Sequence, residues 1–340
     1  MKIAYFDCFS GASGDMVLGS LMDAGLGIER LREDLAKLRL SHYEVKVEKV
    51  VKKGIGGSRA IVDVDEHHHH HHHRRLSHIE EIIVTSGLDD PIKKNSLKIF
   101  KRLAEAEAKV HRMSVDQIHF HEVGAMDAII DVVGGVSGLA ALGIEKVYCS
   151  PFHVGSGTVE CAHGTLPIPA PATAELIRGK PFYSTGVKGE LLTPTGAAIL
   201  TTIGCGFGPS PAMTLEQIGY GAGTSEPDVP NFLRVMIGEV EDDRTGYDRE
   251  QVAVLEANIG DMNPQLSEYL MSRMMDMEAI DVFLSPVQME NNIPGKLITI
   301  TCRPHLVERF AHFFLRETTS TGLRWRLDNR FKAKKISKGV

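Results

Sequence analysis

The stretch Ile3-Ala-Tyr-Phe-Asp-Cys-Phe-Ser-Gly-Ala-Ser-Gly-Asp-Met-Val-Leu-Gly-Ser-Leu-Met22 decides the fold class at the start of the chain. Its first four residues form a short apolar run, as in a buried strand, and its last seven have the apolar spacing of a helix. A loop of small residues lies between them. A strand, a loop and a helix in this order open an α/β unit. We therefore predict an N-terminal mixed α/β domain, with both α/β and α+β elements, over residues 1–238.

The spacing of apolar residues predicts further elements of this domain. Residues 43–50 and 60–64 alternate with period two around a glycine-rich turn at 54–57, which predicts an antiparallel hairpin. Residues 76–111 contain two helical patterns separated at 87–91, and residues 123–142 predict a buried helix. A short strand is predicted at 147–150, and a helix is predicted to follow the prolines at 167–171 and to run to residue 178.

A polar, charged segment at 239–250 has no periodicity and predicts a linker. The pattern after it is a strand at 252–258, a helix at 264–275, strands at 282–289 and 296–302, a helix at 305–316 and a strand at 322–327. This order predicts a ferredoxin-like βαββαβ domain over residues 251–330. A basic tail at 331–340 follows, which could bind an anion or remain solvated.

Composition narrows the class of protein. A chain of 340 residues with 43% hydrophobic content can build two domains, and a net charge of -6 argues against nucleic-acid binding. The five cysteines are too scattered for a disulfide framework. Because no apolar run is long enough for a membrane span and no signal peptide is visible, we expect a cytoplasmic protein without a membrane partner.

Seven consecutive histidines follow an acidic stretch: His67, His68, His69, His70, His71, His72 and His73. Neutral imidazoles bind nickel, copper, zinc and cobalt. Many adjacent copies on a loop give exchangeable coordination, which suits the collection of a metal better than catalysis. We therefore predict a metal-gathering loop. The alternatives are an engineered run and a solvated loop without a function.

A second candidate metal site lies in His119-Phe-His-Glu-Val-Gly-Ala-Met-Asp127. If the segment is extended, His119 and His121 project from the same side. Glu122 precedes the next helix, and Asp127 lies one turn before Asp131 on one face of that helix. Buried acids require a partner, which a cation would supply. We predict that His119, His121, Glu122 and Asp127 bind a metal, the alternative being local caps, salt bridges and hydrogen-bonded core histidines.

Cys161 and His163 repeat the same i, i+2 spacing with a softer ligand. A thiolate beside an imidazole suits nickel, copper or zinc, or a nucleophile with its base. As an isolated pair, they are equally typical of a buried cysteine near a turn.

Two loops before predicted helices have the features of anion sites. The first contains Asp7, Ser10, Gly11, Ser13, Gly14 and Asp15, and the second contains Thr193 and Thr195. Backbone N–H groups at a helix start bind phosphates, and carboxylates there can hold a metal that bridges to the phosphate. The alternative for the first loop is ordinary N-capping by Ser13 or Asp15.

Together these segments resemble the LarC family of nickel insertion proteins. The segments that carry the resemblance are 7–16, the histidine run, 118–125, 161–173, 193–198, 219–223 and 255–264. They extend over nearly the whole chain. Family members commonly continue past residue 340, so the resemblance indicates that this chain lacks the usual C-terminal end.

The resemblance implies a lyase-class enzyme that inserts nickel into pyridinium-3,5-bisthiocarboxylic acid mononucleotide, forming the nickel-pincer cofactor of lactate racemase-type enzymes. It implies CTP hydrolysis and a manganese or magnesium ion. By this interpretation the catalytic residues are Cys161, His163 and Asp15. Nickel is handled by His119, His121 and Glu122 together with the pair Cys161 and His163. The loop from Asp7 to Asp15 handles phosphate and a second cation, together with the nucleotide region that contains Asn258, Asp261 and Asn263. Expected partners are the precursor nucleotide, CTP, lactate racemase-type acceptor enzymes, a separately encoded C-terminal part and further copies of the chain in a homo-oligomer.

Two other functions fit parts of the sequence. The histidine run by itself fits a nickel storage or delivery protein without catalytic activity. The aspartates by themselves fit a metal-dependent phosphohydrolase.

Overall fold

The computed structural model describes residues 1–64, 74–120, 126–161, 164–240 and 247–333. The chain divides into two compact units, Met1–Glu241 and Asp242–Val340, here called the N-terminal and C-terminal units. Helices and strands alternate in both, and the predicted α/β fold class is confirmed.

The N-terminal unit contains the following elements in chain order: β1 Lys2–Asp7, α1 Gly14–Asp23, α2 Ile28–Ala36, β2 Tyr43–Lys52, β3 Ile55–Val64, β4 Arg74–Arg75, α3 Leu76–Thr85, α4 Asp90–His111, β5 His119–Phe120, α5 Met126–Ala141, β6 Lys146–Cys149, β7 Phe152–His153, β8 Gly155–Ser156, β9 Thr158–Cys161, β10 Gly164–Pro167, α6 Pro171–Leu176, β11 Phe182–Tyr183, β12 Gly189–Glu190, α7 Pro194–Ile203, β13 Gly204–Phe207, β14 Thr214–Ala222 and β15 Phe232–Glu239.

A seven-stranded mixed sheet forms the centre of this unit, in the order β13-β6-β1-β15-β14-β3-β2. The first strand, β1, is parallel to β6 and antiparallel to β15. The predicted hairpin is present as β2 and β3, with the turn at Lys53 and Gly54, both of which have positive φ. The remainder of the glycine-rich segment, from Ile55, already pairs within β3.

Helix α1 lies against β14 at a very short distance, and a glycine makes this approach possible. A Cβ atom at Gly221 would lie 1.9 Å from the Met16 carbonyl oxygen. The absence of a side chain lets the two backbones touch, and this fixes the start of α1 over the sheet. The strands β14 and β15 are absent from the sequence prediction. In β14, Gly219 and Gly221 replace apolar residues that signal a strand, whereas β15 contains an apolar run at 232–237 that the prediction did not include.

Helices α4, α5, α6 and α7 pack against one another beside α1. Their core contains fully buried Phe100, Leu103, Ile129, Val133 and Leu200. Helix α5 begins at Met126, so its predicted first residues, 123–125, lie outside the described part of the chain. Helix α6 ends at Leu176, two residues before the predicted end, because the Ile177 C-cap is not helical. Within the described residues, no helix is long and apolar enough to cross a membrane.

The C-terminal unit contains β16 Tyr247–Ile259, α8 Pro264–Asp276, β17 Asp281–Gln288, β18 Pro294–Cys302, α9 Val307–Glu317 and β19 Arg324–Ala333. Its strands form an antiparallel sheet in the order β17-β18-β16-β19. This is the ferredoxin-like arrangement. Its core joins Leu255, Ile298 and Ile300 of the sheet to Met274 of α8 and Phe310 of α9.

Strands β16 and β19 of this unit are longer than the apolar pattern indicated. Strand β16 begins at Tyr247, inside the segment predicted as a linker, and β19 continues to Ala333, inside the predicted basic tail. The two extensions pair with each other, Tyr247 with Ala333 and Glu250 with Arg330. Backbone pairing and charge pairs replace apolar alternation there, so hydrophobic periodicity does not reveal them.

Candidate functional site

Three helix starts meet at a cavity in the N-terminal unit. Its volume is about 480 Å³, and it lies between the first turns of α1, α5 and α7, strand β3 and the loop after β14. We call it the N-terminal cavity. Six residues predicted from the sequence line it: Ser13, Gly14, Asp15, Asp127, Thr193 and Thr195. Residues from three separate motifs therefore share one site.

The first turn of α1 gives the cavity a hydrogen-bonded carboxylate. Ser13 precedes the helix in an extended conformation, and its Oγ donates to the Asp15 carboxylate in a short contact. The Ser13 side chain makes no capping hydrogen bond to α1. Burial raises the pKa of Asp15, while the hydrogen bonds from Ser13 and from the Met16 amide act in the opposite direction. Asp15 is thus oriented within the cavity wall.

Helix α5 contributes two acids in different environments. Asp127 is exposed, and one carboxylate oxygen accepts from the Ala128 amide at 2.8 Å. Asp131 is only 9% exposed, and its Oδ1 has no hydrogen-bond partner within the described structure. Burial raises the pKa of Asp131 well above its usual range, and the nearby charges of Asp15 and Asp127 raise it further.

Gly14 makes room for the buried acid. A Cβ atom at this position would lie 2.4 Å from Oδ2 of Asp131. The glycine before Asp15 therefore lets the Asp131 carboxyl group reach the start of α1. A role in anion binding was predicted for Gly14, and the structure adds this steric one.

Helix α7 begins with a side-chain cap beside the same cavity. Thr193 Oγ1 accepts from the Gly196 amide at 3.2 Å, and Pro194 occupies the first turn. The Thr193 amide donates to the Ala12 carbonyl at 3.0 Å, and the Ala12 amide donates to Leu191 at 2.9 Å. These bonds hold the starts of α1 and α7 together, which explains why two distant loops line one cavity.

Arg59, which was not predicted as a site residue, adds a guanidinium to the lining. It lies in strand β3, where alternation makes it one of many polar strand residues. Its Nε is buried and has no hydrogen-bond partner in the part of the chain that is described. Glu190 also lines the cavity. Among the described lining residues, one guanidinium therefore faces the four carboxylates of Asp15, Asp127, Asp131 and Glu190.

Three other predicted residues of the first loop do not line the described cavity. The Asp7 carboxylate forms an ion pair with Arg234 of β15. Ser10 is fully buried, and its Oγ has no partner among the described residues. Gly11 has φ of 80° and donates to the Cys8 carbonyl at 3.0 Å. These residues shape the loop, and they are absent from the described cavity lining.

The predicted soft-metal pair is described only in part. Cys161 ends β9 and is half-buried, and its thiol donates to the Gly164 carbonyl at 3.3 Å across the β9–β10 hairpin. It is not among the lining residues of the N-terminal cavity. His163 lies outside the described residues.

The predicted histidine sites also fall largely outside the description. His67 to His73, His121 and Glu122 are not described, and for His119 only the backbone is, where β5 pairs with β4. Within the described residues, no three His, Cys, Asp or Glu side chains are arranged to hold a metal ion. The nickel-binding residues named from the sequence therefore stay predictions.

The predicted nucleotide residues after 257 belong to the C-terminal unit. Asn258 and Asp261 line a cavity of about 720 Å³, here called the C-terminal cavity, together with Thr319, Thr321 and Arg324. Asp261 accepts from Thr319 Oγ1 at 2.5 Å. Asn263 instead caps α8, with its side chain accepting from the Gln265 amide at 3.0 Å.

Similar proteins are known over the whole length of the chain. The profile of the family described as "Nickel insertion protein" matches residues 4–340. The pyridinium-3,5-bisthiocarboxylic acid mononucleotide nickel insertion protein of Desulfitobacterium hafniense (strain DSM 10664 / DCB-2) is 50% identical over 327 residues, covering 95% of this chain and 81% of that protein. The putative nickel insertion protein of Geotalea daltonii is 46% identical and covers 96% of this chain and 83% of its own length.

Among solved structures, one titled as LarC2, the C-terminal domain of a cyclometallase, is 28% identical over 24% of this chain and 58% of its own, with a TM-score of 0.24. A TM-score this low does not establish a shared fold. The sequence similarity, by contrast, is high and extends along the whole chain. The chain belongs to the nickel insertion protein family.

Proposed function

We propose that this protein inserts nickel into pyridinium-3,5-bisthiocarboxylic acid mononucleotide and so forms a nickel-pincer cofactor. The observation that carries the proposal is 50% identity, over 95% of the chain, to a protein named for that reaction. The chemistry is compatible with nickel, since its square-planar complexes favour nitrogen and sulfur donors. Two thiocarboxylate sulfurs flank ring carbon 4 of this nucleotide, so a nickel ion bound by both lies at that carbon.

The N-terminal cavity is the proposed binding site for the nucleotide. Its volume of about 480 Å³ is within the range of small-molecule sites. Ser13, Gly14, Thr193 and Thr195 offer hydroxyl and backbone donors at the starts of α1 and α7, which suit a phosphate. The Arg59 guanidinium adds a positive charge. The carboxylates of Asp15 and Asp131 suit the positively charged pyridinium ring.

Nickel is proposed to reach this nucleotide in two stages. The histidines at 67–73 gather the ion, and His119, His121 and Glu122 with the pair Cys161 and His163 transfer it. A lyase-class reaction that consumes CTP with manganese or magnesium belongs to the same proposal. Asn258 and Asp261 of the C-terminal cavity are the candidate nucleotide contacts. The described residues contain no group of three metal donors, so we assign no residues to that cation.

Purified protein tests the proposal directly. The protein is incubated with nickel, CTP, manganese and the unmetallated nucleotide, and the product is identified by mass spectrometry and by activation of a lactate racemase. A nucleotide that contains nickel is expected. Absence of this product, under conditions in which the Desulfitobacterium hafniense protein forms it, contradicts the proposal.

A nickel storage or delivery protein is the second candidate, favoured by the seven consecutive histidines. Deletion of residues 67–73 separates the two functions. A storage protein loses most of its bound nickel and has no insertion activity to retain. A nickel-inserting enzyme retains its activity when nickel is abundant and loses it only when nickel is scarce. Replacing 67–73 by seven serines controls for the change in loop length.

The remaining proposals concern the setting of the protein. We propose a cytoplasmic homo-oligomer that passes its product to lactate racemase-type enzymes. Light scattering of the purified protein tests the assembly proposal.

A further inference from the structure

Asp131 is an unusual residue in the wall of the N-terminal cavity. It is 9% exposed, it lines the cavity, and Oδ1 has no hydrogen-bond partner within the described residues. Buried polar atoms are normally paired, and an unpaired one destabilises the fold. A carboxyl group in this position therefore contributes little to stability, which points to a chemical role.

Its neighbours exclude the usual structural roles of a buried acid. No salt bridge of Asp131 is found among the described residues, whereas the Asp7 carboxylate is paired with Arg234. The charges that act on the Asp131 carboxyl group are those of Asp15 and Asp127, both negative. Arg59 and Glu190 line the same cavity, and no ion pair between Arg59 and Asp131 is found among the described residues. The described residues also lack a third donor in a metal-binding arrangement. What remains is a carboxyl group in the cavity wall without a structural partner in the described part of the chain.

We propose that Asp131 is the base that removes the hydrogen from ring carbon 4 of the nucleotide as nickel bonds to that carbon. This inference rests on the proposed function, because it assumes that the N-terminal cavity binds the precursor. Asp131 is then a catalytic residue. Asp15, oriented by its hydrogen bond with Ser13, acts as a positioning residue through its charge.

The proposed step balances without an oxidant or a reductant. The bond between carbon 4 and its hydrogen breaks, and the electron pair of that bond forms the carbon–nickel bond. The proton moves to the carboxylate of Asp131, and nickel stays in the +2 state. The proton then leaves to solvent, which restores the carboxylate. One nickel ion enters the nucleotide and one proton is released.

The environment of Asp131 makes its carboxylate a strong base, and bound substrates keep that carboxylate ionised. Burial and the charges of Asp15 and Asp127 raise its pKa, which makes the carboxylate a stronger base. The entering pyridinium ring and nickel ion are both positive, so they favour the ionised form when the substrates are bound. The acid is therefore converted into an active base by the substrates themselves.

The experiment uses the full chain with the variants Asp131→Asn and Asp131→Ala. The matched control is Asp90→Asn, because Asp90 is an exposed acid in the first turn of α4 and is absent from the described cavity lining. Insertion rate, precursor affinity and nickel binding are measured for each. Loss of a general base lowers a rate by about 10²–10⁴-fold. We expect that loss for both Asp131 variants, with precursor affinity close to that of the wild type. Asp90→Asn should remain within a few-fold of the wild-type rate.

Two readouts distinguish a base from a structural residue. Formate should restore part of the rate to Asp131→Ala, because a small carboxylate can occupy the space left by the side chain. A precursor with deuterium at carbon 4 should react more slowly than the unlabelled one with Asp131→Asn. If Asp131→Ala does not fold, the isotope effect with Asp131→Asn decides.

The outcomes are separable. Wild-type insertion with an equally fast Asp131→Asn overturns the role of Asp131 and leaves the proposed function intact. A slow Asp131→Asn without an isotope effect, or with precursor affinity reduced in proportion to the rate, also overturns it. No insertion by the wild type, under conditions in which the relative is active, contradicts the proposed function itself.

Discussion

Replacing Asp131 by asparagine should stabilise the free protein while it removes function. The carboxyl group is buried, Oδ1 is unpaired within the described structure, and Asp15 and Asp127 repel its negative charge. An amide of the same size removes the charge and with it the repulsion. Relief of an unsatisfied buried group is worth about 1–3 kcal/mol. For a domain of this size that raises the Tm by roughly 2–4 °C per kcal/mol.

The sign of the pH dependence follows from the direction of the pKa shift. Burial raises the pKa of Asp131 in the folded state above its unfolded value. Between the two values the folded state binds more protons, so stability decreases as the pH rises. The advantage of Asp131→Asn should therefore be largest at pH 8 and should diminish as the pH falls toward the unfolded pKa of about 4.

Urea and thermal unfolding of metal-free protein at pH 5 and pH 8 measure this difference. Asp90→Asn is the control, since Asp90 is exposed in the first turn of α4 and is not one of the charges that act on Asp131. It should lose about 0.3–1 kcal/mol through the helix dipole. If Asp131→Asn is less stable than the wild type at pH 8, the carboxylate is satisfied in the folded protein and the reasoning is refuted.

Two further variants test the local structure around the cavity. Gly221→Ala should destabilise the N-terminal unit by about 1–3 kcal/mol, because its Cβ would lie 1.9 Å from the Met16 carbonyl oxygen. Urea unfolding compares the stability of this variant with that of Gly56→Ala, where the added Cβ has open space around it. Equal stabilities of the two variants would contradict the close contact. Thr193→Val removes the acceptor for the Gly196 amide and should lower the free energy of unfolding by about 1 kcal/mol. Thr195→Val in the same turn is the control and should change stability little. A smaller loss of stability for Thr193→Val than for Thr195→Val would contradict the cap.

Much of the fold was predictable because its elements carry strong local signals. The alternation at 43–64 gave the β2–β3 hairpin, and each element predicted after residue 250 has a counterpart in the C-terminal unit. Strand β14 was not predictable from periodicity, whereas the apolar run of β15 was a usable signal that the prediction did not include. At Gly219 and Gly221 the helix α1 backbone occupies the space where apolar strand side chains would lie, so tertiary packing removed the local signal.

The candidate site shows a similar limit. Helix-start loops with hydroxyls and acids are visible in the sequence, and Ser13, Asp15, Thr193 and Thr195 line one cavity as a result. Their meeting depends on hydrogen bonds between the segments before α1 and α7, which no spacing rule encodes. Arg59 gave no signal as one polar residue of an alternating strand. The sequence also does not show that Asp127 is exposed and Asp131 buried. Space for the Asp131 carboxyl group exists because residue 14 is a glycine, whose Cβ would lie 2.4 Å from Oδ2 of Asp131.

The most direct test of the account is the mass and connectivity of the nucleotide formed by the purified chain from nickel, CTP, manganese and the unmetallated precursor. We expect a product that contains one nickel ion and has lost the hydrogen of ring carbon 4. Mass spectrometry detects the nickel ion, and NMR spectra detect the loss of the proton signal of carbon 4. Unchanged precursor with nickel bound only to the protein would contradict it.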